Sequence, residues 1–124
     1  MKLQETKVSE SYAITHCGEG HILINKERRV DSGIIVMPER LVENWGSAGF
    51  DALTVADIEV LRDLGVTIVL IGTGPRQRFP HPSLLRPLME ARVGFEIMDL
   101  AAACRTYNVL MAEGRSVAAA LLFA

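Results

Sequence analysis

The sequence is poor in lysine and cysteine, and each scarcity excludes a kind of chemistry. The only lysines are Lys2, Lys7 and Lys26, so none is available further along the chain for a phosphate-binding loop or a Schiff base. Cys17 and Cys104 lie far apart in a chain that shows no secretory signal. We therefore expect a reducing compartment, no disulfide framework, and thiols that behave as small apolar side chains.

An excess of one charge and long apolar runs are also absent. The 13 basic and 15 acidic residues leave a net charge of −2, unlike the basic footprint of a nucleic-acid-binding protein. The longest apolar run, residues 117–124, falls far short of the roughly 18 residues that a membrane-spanning helix needs. We expect one domain over residues 1–124, frayed at residues 1–10, that is cytoplasmic, binds no nucleic acid and touches membranes at most peripherally.

Short β-like runs and turn residues fill the first part of the chain and predict an antiparallel meander. The runs cover residues 12–17, 21–24, 29–30, 34–37 and 41–45. A helix is then predicted to begin at Thr54, with Asp57 completing a capping box, and to end at Gly65. Its expected buried stripe consists of Val55, Ile58, Leu61 and Leu64. An unpaired strand near residues 41–45 leaves either a monomer or a homodimer open.

The second half of the chain predicts a β-α-β-α-β unit. The nearly continuous apolar run at residues 66–71 is typical of a central strand that is buried on both faces. The elements expected after it are a helix at 83–92, a strand at 95–98, a helix from Asp99 to about Glu113, and a strand at 117–122. Right-handed crossovers would make the three strands parallel, with the following loops at their carboxyl edge.

A glycine-containing segment, residues 72–78, follows the first of these strands, where α/β folds bind ligands. It lacks the third glycine of a dinucleotide fingerprint and the lysine of a phosphate-binding loop, and a tight turn would explain its glycines equally well. Arg76 and Arg78, with Arg105 from the later helix, could place guanidinium groups beside a helix N-terminus, which suits an anion. Alternatively, the loop arginines are solvated and Arg105 pairs with Asp99 or Glu113.

The last predicted helix carries a polar edge that could bind a ligand, bind a protein or cap a loop. The full set of candidate ligand- or partner-binding residues is Gly72, Thr73, Gly74, Arg76, Arg78, Asp99, Arg105, Thr106 and Asn108. We expect Cys104 and Tyr107 to lie in the core. His16, Cys17 and His21 bracket the first hairpin turn, but neighbouring strand residues point to opposite faces, which leaves too few ligands for zinc. No catalytic residue, metal or cofactor is predicted.

Several short segments occur in an order that resembles a known family. They are residues 71–74 (IGTG), 79–80 (FP), 95–99 (FEIMD), 102–110 (AACRTYNVL) and 113–115 (EGR). The chain resembles, over residues 12–123, the small family that includes mitochondrial complex I assembly factor 3 and an adipogenesis-associated relative. This resemblance implies a three-layer α/β domain with a mixed central sheet. Leu100 departs from the family pattern, which has Thr or Ser there.

The resemblance also implies a function without supplying catalytic residues. It suggests a non-enzymatic, bacterial accessory or assembly factor that binds a protein partner, with assembly intermediates of respiratory complex I or another membrane complex as candidates. The alternative is a small-molecule or anion-binding protein, or an enzyme, that uses the loop at residues 72–74 and the nearby arginines. Both interpretations use the same edge of the predicted sheet, so the sequence leaves both open.

Overall fold

The computed structural model describes residues 11–124, and within them eight strands form two sheets. The predicted frayed end at residues 1–10 lies outside the described residues. The smaller, antiparallel sheet consists of β1 (Ile14–Gly18), β2 (His21–Ile24) and β3 (Arg28–Val30). The strands of the central sheet are β4 (Ile34–Val36), β5 (Leu41–Glu43), β6 (Ile68–Thr73), β7 (Gly94–Met98) and β8 (Val117–Leu122), in the order β5-β4-β8-β6-β7.

The central sheet is mixed, as predicted. Strand β6 pairs in parallel with both β7 and β8, whereas β4 pairs antiparallel with β5 and β8. The meander predicted for the first part of the chain is divided between the two sheets after β3. A Cβ atom at Gly33, in the crossing segment, would overlap the carbonyl oxygen of Trp45, so only glycine fits at this close approach.

Three α-helices connect the strands of the described chain. They are α1 (Val55–Arg62), α2 (Pro82–Glu90) and α3 (Leu100–Ala112). The predicted capping box of Thr54 and Asp57 is present at the start of α1. The predicted stripe was wrong at Val55, whose side chain is exposed, while Ile58 and Leu61 are buried. Three residues turn an α-helix by about 300°, which is about 60° short of a full turn. Residues spaced by three therefore shift around the helix, and Val55, the first of the four, lies outside the buried face.

The helices and the small sheet cover the central sheet on both faces and give three layers. Helices α1 and α2 pack on one face, and α3 and the small sheet pack on the other. The alternating residues of β8 supply both cores, since Ala119 and Leu121 face α3 whereas Ala118 and Ala120 face the opposite layer. The central layer is therefore buried on both sides, and the carboxyl ends of β6, β7 and β8 meet at one edge. We call this the carboxyl edge.

Candidate functional site

Thr73 ends β6 at the carboxyl edge and organises the loop that follows. Its side chain is fully buried. The hydroxyl donates to the carbonyl oxygen of Arg76 at 2.7 Å, with the carbonyl oxygen of Met98 3.3 Å away, and it accepts from the backbone N–H of Arg78 at 3.0 Å. The hydroxyl thus acts as both donor and acceptor within the loop. Thr73 therefore shapes the loop from within, and a ligand in solvent cannot reach it.

The two glycines of the predicted loop have different structural tasks. Gly72 lies inside β6, so the expectation that it belongs to the loop was wrong. A Cβ atom there would lie 3.0 Å from the Cβ of Ala103 and 3.1 Å from Cδ2 of Leu121, so glycine lets α3 pack closely on the sheet. Gly74 has φ +88°, and its carbonyl oxygen accepts from the backbone N–H of Leu100 at 2.8 Å. Packing and turn geometry account for both glycines.

The three candidate arginines have different surroundings. Nη2 of Arg78 donates to the carbonyl oxygen of Thr73 at 2.8 Å, and its guanidinium carbon lies 4.4 Å from the centre of the Phe50 ring. Arg76 and Arg105 are exposed, the former in the loop after β6 and the latter on α3. Among the described residues, Arg105 forms no salt bridge, which excludes the alternative pairing predicted for it.

The polar residues of α3 mostly hold the fold together. Asn108 accepts from the backbone N–H of Ile14 at 2.9 Å and donates to its carbonyl oxygen at 2.7 Å, so it clamps β1 onto the helix. The hydroxyl of Tyr107 donates to the carbonyl oxygen of Tyr12 at 2.7 Å. Asp99 caps the helix by accepting from the N–H of Ala102 at 2.8 Å, as predicted. Thr106 is half-buried beside Arg105.

A cleft of about 310 Å³ opens at the carboxyl edge between the β1–β2 turn, the loop after β6 and the start of α3. It is lined by Cys17, Gly18, Glu19, Gly20, Gly74, Pro75, Asp99, Leu100, Ala101 and Phe123. Its charged side chains are the carboxylates of Glu19 and Asp99, and none of the three candidate arginines lines it. The cleft therefore has the electrostatic character opposite to that of the predicted anion site.

A larger cleft of about 670 Å³ lies at the opposite edge of the sheet and was missed in the sequence analysis. It contains Arg40, whose Nη2 donates to the carbonyl oxygen of Leu64 at 3.4 Å, and Arg115, which follows α3. The lining comes from segments that are far apart in sequence, and none carries a recognisable motif. Only the packing of α1, α3 and β4 against β8 brings them together.

Phe79 is a second feature that the sequence analysis did not select. Its side chain is 70% exposed in the loop between β6 and α2, and it follows Arg78, whose guanidinium stacks on the ring of Phe50. Gln77 in the same loop donates from its side-chain amide to the carbonyl oxygen of Ile97 at 2.9 Å. The sequence feature that could have identified Phe79 as a candidate is its position as an aromatic residue in a loop that is otherwise polar and rich in proline.

Two buried ionisable groups lie on α3. Burial raises the pKa of the Cys104 thiol, and the adjacent Cys17 thiol raises it further. Burial also raises the pKa of the Tyr107 hydroxyl. Residues 11–124 contain no cluster of three or more His, Cys, Asp or Glu side chains suited to hold a metal ion. In the same residues, no helix has the length and apolar character needed for a bilayer crossing.

These features define a three-layer α/β protein with a clefted carboxyl edge. A family model described as "Protein of unknown function (DUF498/DUF598)" matches residues 14–122, and the chain belongs to this family. The resemblance noted in the sequence is thereby confirmed. A relative from Xenopus tropicalis named "NADH dehydrogenase [ubiquinone] 1 alpha subcomplex assembly factor 3" is 27% identical over 123 residues, which cover 98% of this chain. The aligned part spans just under two thirds, 66%, of that relative's length.

Solved structures confirm the fold. A protein from Bordetella parapertussis is 38% identical, superposes with a TM-score of 0.83, and is matched over 92% of this chain and 97% of its own. A protein from Xanthomonas campestris is 37% identical with a TM-score of 0.80, over 90% of this chain and 84% of its own. The predicted arrangement of a mixed central sheet between two covering layers is thus shared by these bacterial proteins.

Proposed function

We propose that this protein is a non-enzymatic accessory or assembly factor that binds a protein partner through its carboxyl edge. The observation that carries the proposal is Phe79, which is 70% exposed in an otherwise well-anchored loop. Covering a phenylalanine side chain with a partner is worth about 2 kcal/mol or more. Exposed Arg76 and half-buried Arg78 precede it in the loop, and aromatic residues and arginine are enriched at protein interfaces.

The loop that presents Phe79 is held in place before any partner binds. The Thr73 hydroxyl forms hydrogen bonds with the backbone of Arg76 and Arg78. The side-chain amide of Gln77 donates a hydrogen bond to the carbonyl oxygen of Ile97. A preorganised loop loses little conformational entropy on association. Phe79 therefore has the properties of an anchor residue, because the free energy gained by its burial is not spent on ordering the loop.

The named relative supports a particular class of partner. Because that relative is an assembly factor by name, we propose that this protein binds assembly intermediates of a respiratory or other membrane complex. We further propose that it works in the bacterial cytoplasm and reaches the membrane at most peripherally, through its partner. Sequence identity to the bacterial proteins of known structure supports the bacterial setting.

Affinity purification of the tagged full chain from its own host in mild detergent tests this proposal. Mass spectrometry would compare wild type with Phe79→Ala and Arg76→Ala, with Val109→Ala as the matched control, since Val109 is 56% exposed on α3. We expect subunits of a membrane complex to co-purify, and their recovery to fall about thirtyfold in Phe79→Ala, which corresponds to the loss of about 2 kcal/mol of binding free energy. Equal recovery from Phe79→Ala and Val109→Ala would contradict the proposal.

The cleft at the carboxyl edge supports a second candidate, a small-molecule-binding protein or enzyme. Its volume of about 310 Å³ is at the lower end of the range for ligand sites. The carboxylates of Glu19 and Asp99 favour a cationic ligand over the anion expected from the sequence. Thermal unfolding with panels of nucleotides, carboxylates and amines tests it, since a ligand at a hundredfold excess over its Kd stabilises by about 2.7 kcal/mol.

A further inference from the structure

The two cysteines lie on facing elements of one core, Cys17 on β1 and Cys104 on α3, although they are far apart in the sequence. Strand β1 runs along α3 in the opposite direction. At one end, Asn108 holds the backbone of Ile14. At the other end, the residues that follow Cys17 face Asp99 and Ala101 across the cleft. Between these two points the strand passes Cys104, which lies one turn before Asn108 on the helix.

Both thiols belong to the core that joins the small sheet to α3. Cys17 packs against the core cluster that contains Cys104, and the contact of Asn108 with Ile14 sets the antiparallel alignment that places the two cysteines on facing elements. Both thiols are free. Cys104 is only 3% exposed, whereas Cys17 is partly exposed and lines the cleft at the carboxyl edge. A small reagent can therefore reach Cys17 from the cleft while Cys104 is shielded.

We propose that Cys17 and Cys104 are a redox modification site, which a small-molecule disulfide entering through the cleft converts into an intramolecular disulfide. The thiolate of Cys17 attacks one sulfur of the reagent, whose disulfide bond breaks and releases one thiolate. Cys104 then loses its proton to solvent and attacks the sulfur of Cys17, displacing the second thiolate. The two protein thiols are oxidised by two electrons, and the reagent is reduced to two thiols that take up the two protons.

The environment of each thiol assigns its role. Cys17 reacts first because it lines the cleft, and Cys104 resolves the mixed disulfide because it lies in the core against which Cys17 packs. Burial raises the pKa of Cys104, so little of it is thiolate and the second step is the slower one. The product would bridge β1 to α3 at the wall of the cleft and change the shape of the carboxyl edge.

Oxidised glutathione is a suitable probe for the reduced full-length protein. We expect both free thiols to be lost, the intact mass to fall by two hydrogens without a retained glutathione adduct, and dithiothreitol to reverse both changes. Trypsin cleavage under non-reducing conditions should then yield residues 8–26 joined to residues 93–105. Retention of both thiols, or a stable glutathione adduct on Cys17 in the wild type, would overturn the proposal.

Two variants separate the steps and use the wild type as their reference. Cys104→Ala should accumulate the mixed disulfide of Cys17 with glutathione, because no resolving thiol remains. Cys17→Ser should leave Cys104 unmodified under the same conditions, since the buried thiol is not reached. If Cys104 is modified in Cys17→Ser as fast as in the wild type, the assigned order of the two steps is refuted. A disulfide that joins two chains, in place of the internal one, would refute the pairing of Cys17 with Cys104.

Discussion

Replacing Asn108 with alanine tests whether the polar edge of α3 is structural. Its side chain makes two hydrogen bonds to Ile14, one to the backbone N–H at 2.9 Å and one to the carbonyl oxygen at 2.7 Å. Ile14 is only 5% exposed, so water cannot readily replace both contacts. An unpaired buried backbone group costs about 1–3 kcal/mol, and we expect Asn108→Ala to lower the free energy of unfolding by about 2–3 kcal/mol.

Urea unfolding followed by the fluorescence of Trp45 would measure the loss, because this single tryptophan is buried. The corresponding fall in Tm is about 8–12 °C for a chain of this length. Arg105→Ala is the matched control, since Arg105 is exposed on the same helix and should change stability by less than about 0.5 kcal/mol. A loss in Asn108→Ala no larger than that of the control would refute the clamp between β1 and α3.

Three further predictions address the carboxyl edge and its support. Gly72→Ala should destabilise by about 1–3 kcal/mol in urea unfolding, because the added Cβ lies 3.0 Å from Ala103; an unchanged midpoint would contradict this packing role. Thr73→Val keeps the volume but removes the buried hydroxyl, and should cost about 2–3 kcal/mol, measured by the same method; a neutral result would mean that the loop does not depend on it. Above pH 9 the free energy of unfolding should fall, because burial raises the pKa values of the Cys104 thiol and the Tyr107 hydroxyl; each of these two groups contributes a fall of up to about 1.4 kcal/mol for each pH unit.

The sign of the pH effect follows from the unfolded chain. There the thiol and the phenol ionise near their ordinary pKa values of 9.0 and 10.0, whereas in the folded chain both stay protonated to higher pH. Their contribution to stability is complete below pH 9 and is lost as the pH rises above these values. Urea midpoints between pH 8 and pH 11 would show the decline, and Tyr107→Phe should reduce its slope. A midpoint that stays constant over this range would contradict the burial of both groups.

The sequence predicted the second half of the fold closely, because local signals there agree with the tertiary structure. The last strand was predicted at residues 117–122, as observed, and Asp99 caps α3 as expected. The parallel pairing of β6 with β7 and β8 followed from the handedness of crossovers. These features depend on apolar periodicity and short-range hydrogen bonds, which a stretch of neighbouring residues determines.

The candidate site was less predictable, because side-chain exposure and partners depend on contacts between distant segments. Asn108 could equally have faced a ligand, and only the position of β1 shows that it binds Ile14. Arg78 could have joined Arg76 at an anion site, but in the structure its guanidinium stacks on the ring of Phe50. Phe79 was part of a recognised segment, yet its exposure could be read only from the folded loop.

By itself, the sequence determined the family, the succession of helices and strands in the second half, and the caps that begin α1 and α3, since these depend on local pattern and on segments in a recognisable order. Only the tertiary structure decided that the first strands divide between two sheets, that Cys17 packs in the same core as Cys104, and which polar side chains support the fold. The physical reason is that packing joins segments from opposite ends of the chain. No local sequence pattern shows which of these distant segments come into contact.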